Sequence, residues 1–144
     1  MTDSNNDTAA AFDFDSVEVT ETATLVVKDP TRAMAPTPWV ITLASEIHAS
    51  RRAFDFKRQR VKSARLASSL GKGKGIPTDD PEDIEHDLID KLVACTLGWK
   101  GAKVPFSAGA ARTLYADPKR VWVRRQVIEA LDDLELFTRS SARS

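Results

Sequence analysis

The sequence has one cysteine, no long apolar run and no net charge, and each of these shortages argues against a class of protein. A single cysteine, Cys95, cannot form an internal disulfide, which argues against a small secreted scaffold. No stretch approaches the roughly 20 apolar residues of a membrane-spanning helix. The 144 residues hold 21 basic and 21 acidic side chains, so no overall charge favours nucleic acid or a membrane surface. We expect a cytoplasmic protein with no membrane contact.

The sequence also lacks the residue spacings that catalysis requires. The glycine-rich run GKGKG, residues 71–75, has neither the four-residue gap nor the Ser or Thr ending of a phosphate-binding loop. His48 and His86 lie far apart with no Cys or His at metal-binding spacing, and Cys95 has no evident His partner. The sequence therefore predicts a protein that is not an enzyme and that holds no metal or cofactor.

Composition divides the chain into one domain and two tails. Residues 1–15 are rich in Asp, Asn, Ser and Ala without periodicity, which predicts a disordered acidic arm. Residues 16–137 are predicted to form a single α+β domain, and the polar residues 138–144 a disordered tail. Within this domain a basic block at 46–75 is followed by acidic residues at 79–90. These blocks suggest charges that satisfy each other across the fold or across a partner.

An alternating pattern predicts a β-hairpin at the front of the domain. Most positions from 17 to 28 alternate between apolar and polar side chains, which is typical of a half-buried strand. One face carries Val17, Val19, Ala23, Leu25 and Val27, and the other carries Glu18, Thr20, Thr22, Thr24 and Lys28. Glu21 is the polar exception, most simply placed at a strand end or bulge. The same parity returns at Trp39–Leu43 after the turn-rich residues 29–38, DPTRAMAPTP. Two such strands predict an antiparallel pair with a loop of about ten residues.

A basic helix and a linker are predicted next. Ser45 can cap a helix from Glu46 to about Leu70, completing a unit of hairpin plus basic helix over 16–70. The apolar side of this helix is thin and cations occupy most of its circumference, so we expect it to be well exposed. Residues 71–81 alternate glycine with lysine and then carry prolines, which predicts a linker or hinge.

Residues 82–137 are predicted to be helical. An apolar stripe over 84–99 indicates a central core helix. Ser107 can cap a short helix over 108–116, and a longer helix is predicted over 118–137. The predicted fold is thus α+β, with an N-terminal β-hairpin followed by a small bundle of about four helices.

The order of short motifs along the chain is informative in itself. A strand ending LVVKDPT and a strand WVITLAS lead directly into the Arg-rich helix, and the linker is followed by LVACTLGWKG and VPFSAGAARTLYADPKRVWVRRQV. This order resembles the tail assembly chaperones of long-tailed bacteriophages and prophages. The resemblance covers Val17 to Phe137 and is most specific at Trp99, Val104–Ser107, Leu114–Pro118 and Gln126–Val127.

The resemblance implies a non-enzymatic factor in the cytoplasm of an infected or lysogenic bacterial host. Proteins of that family bind the long helical tape measure protein, keep it soluble and help recruit tail tube subunits, and they are not retained in the mature virion. The tape measure protein and the tail tube protein are therefore the implied partners, with self-association also open. The chain departs from the family pattern in the hairpin turn, which often carries Asp-Gly and here reads RAMAPTP, residues 32–38.

Two surfaces are candidates for partner binding. Seven cations between Arg51 and Arg65 cover the basic helix, although a solvated face balanced by the protein's own acidic segments is the more ordinary interpretation. Trp122 and Leu136 are predicted to share one side of the last helix, beside Arg125. The residues predicted to bind a partner are Arg51, Arg52, Phe54, Arg58, Arg60, Trp122, Arg125 and Leu136.

Two other functions would use the same features. A nucleic-acid-binding accessory protein could track a phosphate backbone with helix 46–70 and stack bases on Phe54 and Phe56. The zero net charge makes nucleic acid the less favoured partner. A minor structural tail or head-tail joining protein is the third possibility, and it would be present in purified particles.

Overall fold

Two small antiparallel sheets and four α-helices make up residues 11–141, the part of the chain that the computed structural model describes. The elements in order are β1 (Val17–Val19), β2 (Thr22–Asp29), β3 (Ala35–Ala44), α1 (Ala49–Gly71), α2 (Pro81–Cys95), β4 (Thr96–Lys100), α3 (Ala108–Ala116), α4 (Val121–Leu131) and β5 (Thr138–Ser140). Single 3-10 turns occur at Phe14–Ser16, Pro30–Arg32 and Pro118–Arg120. The α+β class and the N-terminal hairpin are as predicted.

The hairpin is formed by β2 and β3, which pair antiparallel with a register shift between Val26 and Lys28. Its connection is shorter than the predicted loop. The side chain of Asp29 accepts a hydrogen bond from the Thr31 N–H at 2.8 Å and starts a 3-10 turn. Ala33 and Met34 then take left-handed backbone conformations that reverse the chain. The turn thus closes without the glycine that such conformations favour.

A third strand, β4, lies where a helix was predicted. It pairs antiparallel with β3 and gives the sheet order β2-β3-β4. The prediction that the apolar stripe over 84–99 is one helix is therefore wrong, because α2 ends at Cys95. Thr96 is buried at the junction, and its hydroxyl donates to the main-chain oxygen of Leu92 at 2.7 Å. The apolar pattern continues past the end of α2 because residues of both α2 and β4 pack in or against the hydrophobic core.

The two ends of the described chain meet in the second sheet, where β1 pairs antiparallel with β5. This corrects the prediction of a disordered tail over 138–144 as far as residues 138–140 are concerned; residues 142–144 lie outside the described part. The predicted disordered arm, 1–15, also overlaps an ordered element, because its last two residues belong to the 3-10 turn at Phe14–Ser16. Residues 1–10 lie outside the described part. The predicted first strand breaks between β1 and β2, at the position of Glu21.

The three-stranded sheet and the helices α2, α3 and α4 share one hydrophobic core. Its fully buried side chains come from every layer and include Val27, Ile41, Leu43, Leu92, Cys95, Tyr115, Val123 and Val127. Gln126 of α4 fixes that helix to the outer edge of β2. Its side-chain amide donates to the Lys28 carbonyl at 2.9 Å, and its side-chain oxygen accepts from the Lys28 N–H at 2.8 Å. The side chain therefore occupies the edge that a further strand would otherwise pair with.

The bounds of two helices differ from the prediction. α1 begins at Ala49, and its N-terminal cap is His48 and not the predicted Ser45. The His48 Nδ1 accepts a hydrogen bond from the Ser50 N–H at 3.1 Å. α4 ends at Leu131, so the helix predicted over 118–137 is too long. The predicted linker contains no helix or strand from 72 to 80. Within residues 11–141, no helix is both long and apolar enough to cross a membrane.

Candidate functional site

α1 is the most exposed helix of the domain. Of its 23 residues, Arg51 is the only buried one. Large apolar side chains stand in solvent along it, with Phe56 49% exposed and Leu70 52% exposed. The prediction of an exposed basic helix is confirmed, and this surface is the first candidate for partner binding.

Arg51 does not belong to that surface. Its side chain is 3% exposed, and its guanidinium donates to the main-chain oxygens of Ala44 and Leu131. The expectation that Arg51 faces a partner is therefore wrong. A buried guanidinium that satisfies carbonyl oxygens at a strand end and a helix end holds α1 to the domain.

Two further cations of α1 bind the acidic segment of the same chain. Arg58 forms an ion pair with Asp87 of α2 at 3.1 Å, and Arg65 binds Asp79 at the end of the linker. The hydrogen bond from Arg65 lowers the pKa of Asp79 below its ordinary value. For these two cations the prediction of a face balanced by the protein's own acidic segments is correct, because Arg58 and Arg65 pair with acidic residues of the same chain.

A line of exposed residues runs along α1 and includes one of its remaining cations, Arg52. The line consists of residues at alternating spacings of four and three, all of them exposed: Arg52, Phe56, Gln59, Ser63, Leu66 and Leu70. The guanidinium of Arg52 lies over the Phe56 ring, 5.0 Å from its centroid. Among residues 11–141, Lys57 and Arg60 make no ion pair. We call this set of six residues the α1 seam.

Phe54 lies on the opposite side of α1 from the seam. It is half-buried and lines a cleft of about 610 Å³ between α1 and α2, together with Val61 and Val93. Lys57 and Arg58 line the same cleft. Phe54 thus contributes to the packing of the two helices. Within the seam, Gln59 and Ser63 line a second cleft against α2, and Leu66 lies beside Ile76 and Pro77 of the linker.

The second predicted surface, formed by Trp122, Arg125 and Leu136, is not one continuous helical face. Leu136 lies beyond the end of α4, so it does not share a helical face with Trp122, and the predicted strip is wrong. Both side chains are half-buried and pack against the core. Arg125 is exposed on α4.

Trp122 instead belongs to a groove that the sequence did not predict. All three tryptophans of the chain, Trp39, Trp99 and Trp122, line this groove of about 510 Å³. The rings of Trp39 and Trp99 pack edge to face with centroids 5.7 Å apart. The indole N–H of Trp99 donates to the main-chain oxygen of Val104 at 2.8 Å, which fixes the loop after β4 beside the groove. We call this feature the tryptophan groove.

The rim of the tryptophan groove is polar and mainly basic. Lys103 and Arg120 line it, together with Asp117. The Asp117 carboxylate already accepts a hydrogen bond from the Lys119 N–H at 3.0 Å, as the cap of the 3-10 turn before α4. The groove therefore combines an apolar aromatic floor with two cations at its edge, a combination that is enriched in protein-binding sites.

Reactive side chains are not gathered at either surface. Cys95 is fully buried, and burial raises the pKa of its thiol, which disfavours the thiolate that a nucleophile requires. In the part of the chain that is described, no three His, Cys, Asp or Glu side chains are placed to hold a metal ion.

Comparison with known proteins adds no relative. No protein-family model matches the chain, and neither a curated protein nor a solved structure resembles it significantly.

Proposed function

We propose that the protein is a non-enzymatic tail assembly chaperone of a long-tailed bacteriophage or prophage, which binds the tape measure protein and keeps it soluble. The observation that carries this proposal is α1, a helix of 23 residues that buries only one of them. An amphipathic helix that leaves apolar side chains in solvent commonly binds a partner. The family resemblance of the sequence supplies the identity of that partner.

The α1 seam fits a long helical client. Alternating spacings of four and three residues place side chains along one line on a helix, as in the contact line of a coiled coil. Phe56 and the Leu66/Leu70 pair provide apolar contacts at the two ends of the seam, and Gln59 and Ser63 lie between them. Polar residues in the middle of such a contact weaken it, which suits a chaperone that must release its client.

The charge around the seam favours an acidic client surface. Arg52 lies in the seam and Arg60 lies beside it, and neither forms an ion pair with any residue from 11 to 141. Complementary charge at the edge of an interface increases the association rate and makes binding sensitive to salt. By contrast, Arg58 and Arg65 are neutralised by Asp87 and Asp79, which leaves fewer cations to follow a nucleic-acid backbone.

The remaining parts of the proposal rest on the family resemblance. The chaperone helps to recruit tail tube subunits to the tape measure protein in the cytoplasm of the infected or lysogenic host. It is released before the virion is complete. Detection of the chain in purified particles would contradict this account and favour a structural tail or head-tail joining protein.

Co-expression with the tape measure protein of the same phage tests the proposal. The seam variant carries Arg52→Glu and Arg60→Glu, two exposed positions whose reversal leaves the core unchanged. The control carries Lys28→Glu and Arg32→Glu, an equal change of charge at the exposed end of the hairpin.

Wild type and control should keep the tape measure protein in the soluble fraction and co-purify with it, whereas the seam variant should lose it. Equal recovery with all three forms would overturn the assignment of the seam. Failure of the wild type to bind, combined with retardation of DNA or RNA at moderate salt, would favour the nucleic-acid alternative.

A further inference from the structure

A short aromatic and acidic segment is exposed at the start of the described chain. Phe12 and Phe14 are 72% and 79% exposed, and they alternate with Asp13 and Asp15. Phenylalanine side chains at this exposure are unusual in a domain that has an apolar core available. Two of them separated by a single residue indicate a binding element.

This segment is held in place by the sheet formed by the chain ends. The Asp13 carboxylate accepts from the Asp15 N–H at 3.0 Å and caps the 3-10 turn that carries Phe14. The main-chain oxygen of Asp15 accepts from the Ser141 hydroxyl at 2.6 Å, beside the pairing of β1 with β5. The rings therefore project from an ordered base, which reduces the entropy cost of binding.

The tryptophan groove has the complementary chemistry. Three tryptophan side chains line it, and indole rings pack favourably with a further aromatic ring. Its rim carries Lys103 and Arg120, and these cations can pair with carboxylates that flank the inserted ring. The groove thus matches a segment in which phenylalanine and aspartate alternate.

We propose that the segment Phe12–Asp15 of one copy of this chain binds in the tryptophan groove of a second copy. Within one copy both rings are exposed, so the segment does not fill the groove of its own chain. The contact joins two different surfaces of the molecule, and such a head-to-tail contact builds open chains or closes into rings. This inference does not depend on the proposed chaperone function.

Two variants separate the two halves of this contact. The segment variant carries Phe12→Ala and Phe14→Ala, which removes two exposed rings. The groove variant carries Thr113→Glu, which places a like charge against the acidic segment from an exposed position of α3 that lines the groove. The matched controls are Ile76→Ala, which removes an apolar side chain that is 79% exposed, and Thr113→Gln, which is similar in size to the groove variant and uncharged.

Sedimentation velocity of the full chain over a range of protein concentrations measures association. The wild type and both controls should associate, and high salt should weaken that association. The segment and groove variants should each bind themselves at least about tenfold more weakly, because each has lost one anchor of the contact. A mixture of the two variants should form a one-to-one dimer and nothing larger, since each variant retains the surface that the other lacks.

Tryptophan fluorescence gives a second measurement on the same samples. Because all three tryptophans line the groove, their emission should shift to shorter wavelength as the wild type associates. A wild type that stays monomeric at every concentration would overturn the proposal. Variants that associate as strongly as the wild type, or a mixture that stays monomeric, would overturn it as well.

Discussion

Arg51 in the first turn of α1 donates from both terminal guanidinium nitrogens to the main-chain oxygen of Leu131, the last residue of α4, at 3.3 Å each. One of these nitrogens also donates to the main-chain oxygen of Ala44 at 3.1 Å. The carboxyl end of a helix leaves its last carbonyls unpaired and carries partial negative charge, and a cation placed there satisfies both. Arg51 thus ties the start of α1 both to the end of the preceding strand, β3, and to the end of α4, which is distant in sequence.

Replacement of Arg51 by alanine should destabilise the domain by about 3 kcal/mol, because two buried carbonyl oxygens lose their donors and a cavity remains. Urea unfolding followed by circular dichroism measures this loss. The adjacent Arg52→Ala provides the control, since Arg52 is exposed and should change the free energy of unfolding by no more than about 0.5 kcal/mol. Equal stability of the two variants would show that the Arg51 hydrogen bonds contribute nothing.

The single tyrosine of the chain, Tyr115, should titrate late. Its hydroxyl lies 2.7 Å from the Thr96 hydroxyl, and burial raises its pKa to about 12. Since the folded-state pKa exceeds the unfolded value of about 10, this group contributes stability below pH 10 that is lost as the pH rises towards 12. Absorbance at the tyrosinate band should show a midpoint near 12 in the native protein and near 10 in urea. A native midpoint near 10 would contradict this prediction, because it would show that the Tyr115 hydroxyl is exposed to solvent.

Gly101 should be sensitive to substitution, whereas Gly98 should not. Gly101 has a φ of +85°, and an added Cβ would overlap with the carbonyl oxygen of Pro38. Gly101→Ala should therefore cost at least about 2 kcal/mol and disturb the adjoining Trp39. Gly98 in β4 has open space at the same position, so Gly98→Ala is the matched control. Thermal unfolding followed by tryptophan fluorescence compares them, and similar melting temperatures would contradict the steric argument.

Cys95 should be protected from thiol reagents in the native protein. The side chain is fully buried, and burial raises its pKa, so both access and thiolate fraction are low. The rate of its reaction with a disulfide reagent should follow unfolding and increase steeply across the urea transition. Fast labelling in the absence of urea would show that the helix end at Cys95 opens locally.

Local signals in the sequence predicted several elements well. The Ser107 side chain accepts from the Ala110 N–H at 2.9 Å, so α3 begins where its cap predicts. The break in the first strand falls at Glu21, the polar residue that interrupts the alternation. Capping and alternation depend on residues close in sequence, which is why they can be recognised without the fold.

Features that depend on distant partners were not predicted. β4 follows α2 without any Gly or Pro at the junction, so its sequence pattern resembles a continuation of the helix. Its strand conformation depends on pairing with β3. β5 is polar and becomes a strand only beside β1. The tryptophan groove and the burial of Arg51 follow from the same long-range contacts, because β4 places Trp99 against Trp39 and the end of α4 approaches the start of α1.

Hydrogen–deuterium exchange of the protein, alone and with the tape measure protein proposed as its client, tests the central claim most directly. The claim is that the α1 seam binds this client. Peptides from Arg52 to Leu70 should exchange more slowly in the complex, while those from the hairpin, β2 and β3, should be unchanged. Protection confined to other elements, with α1 exchanging as it does in the free protein, would contradict the account.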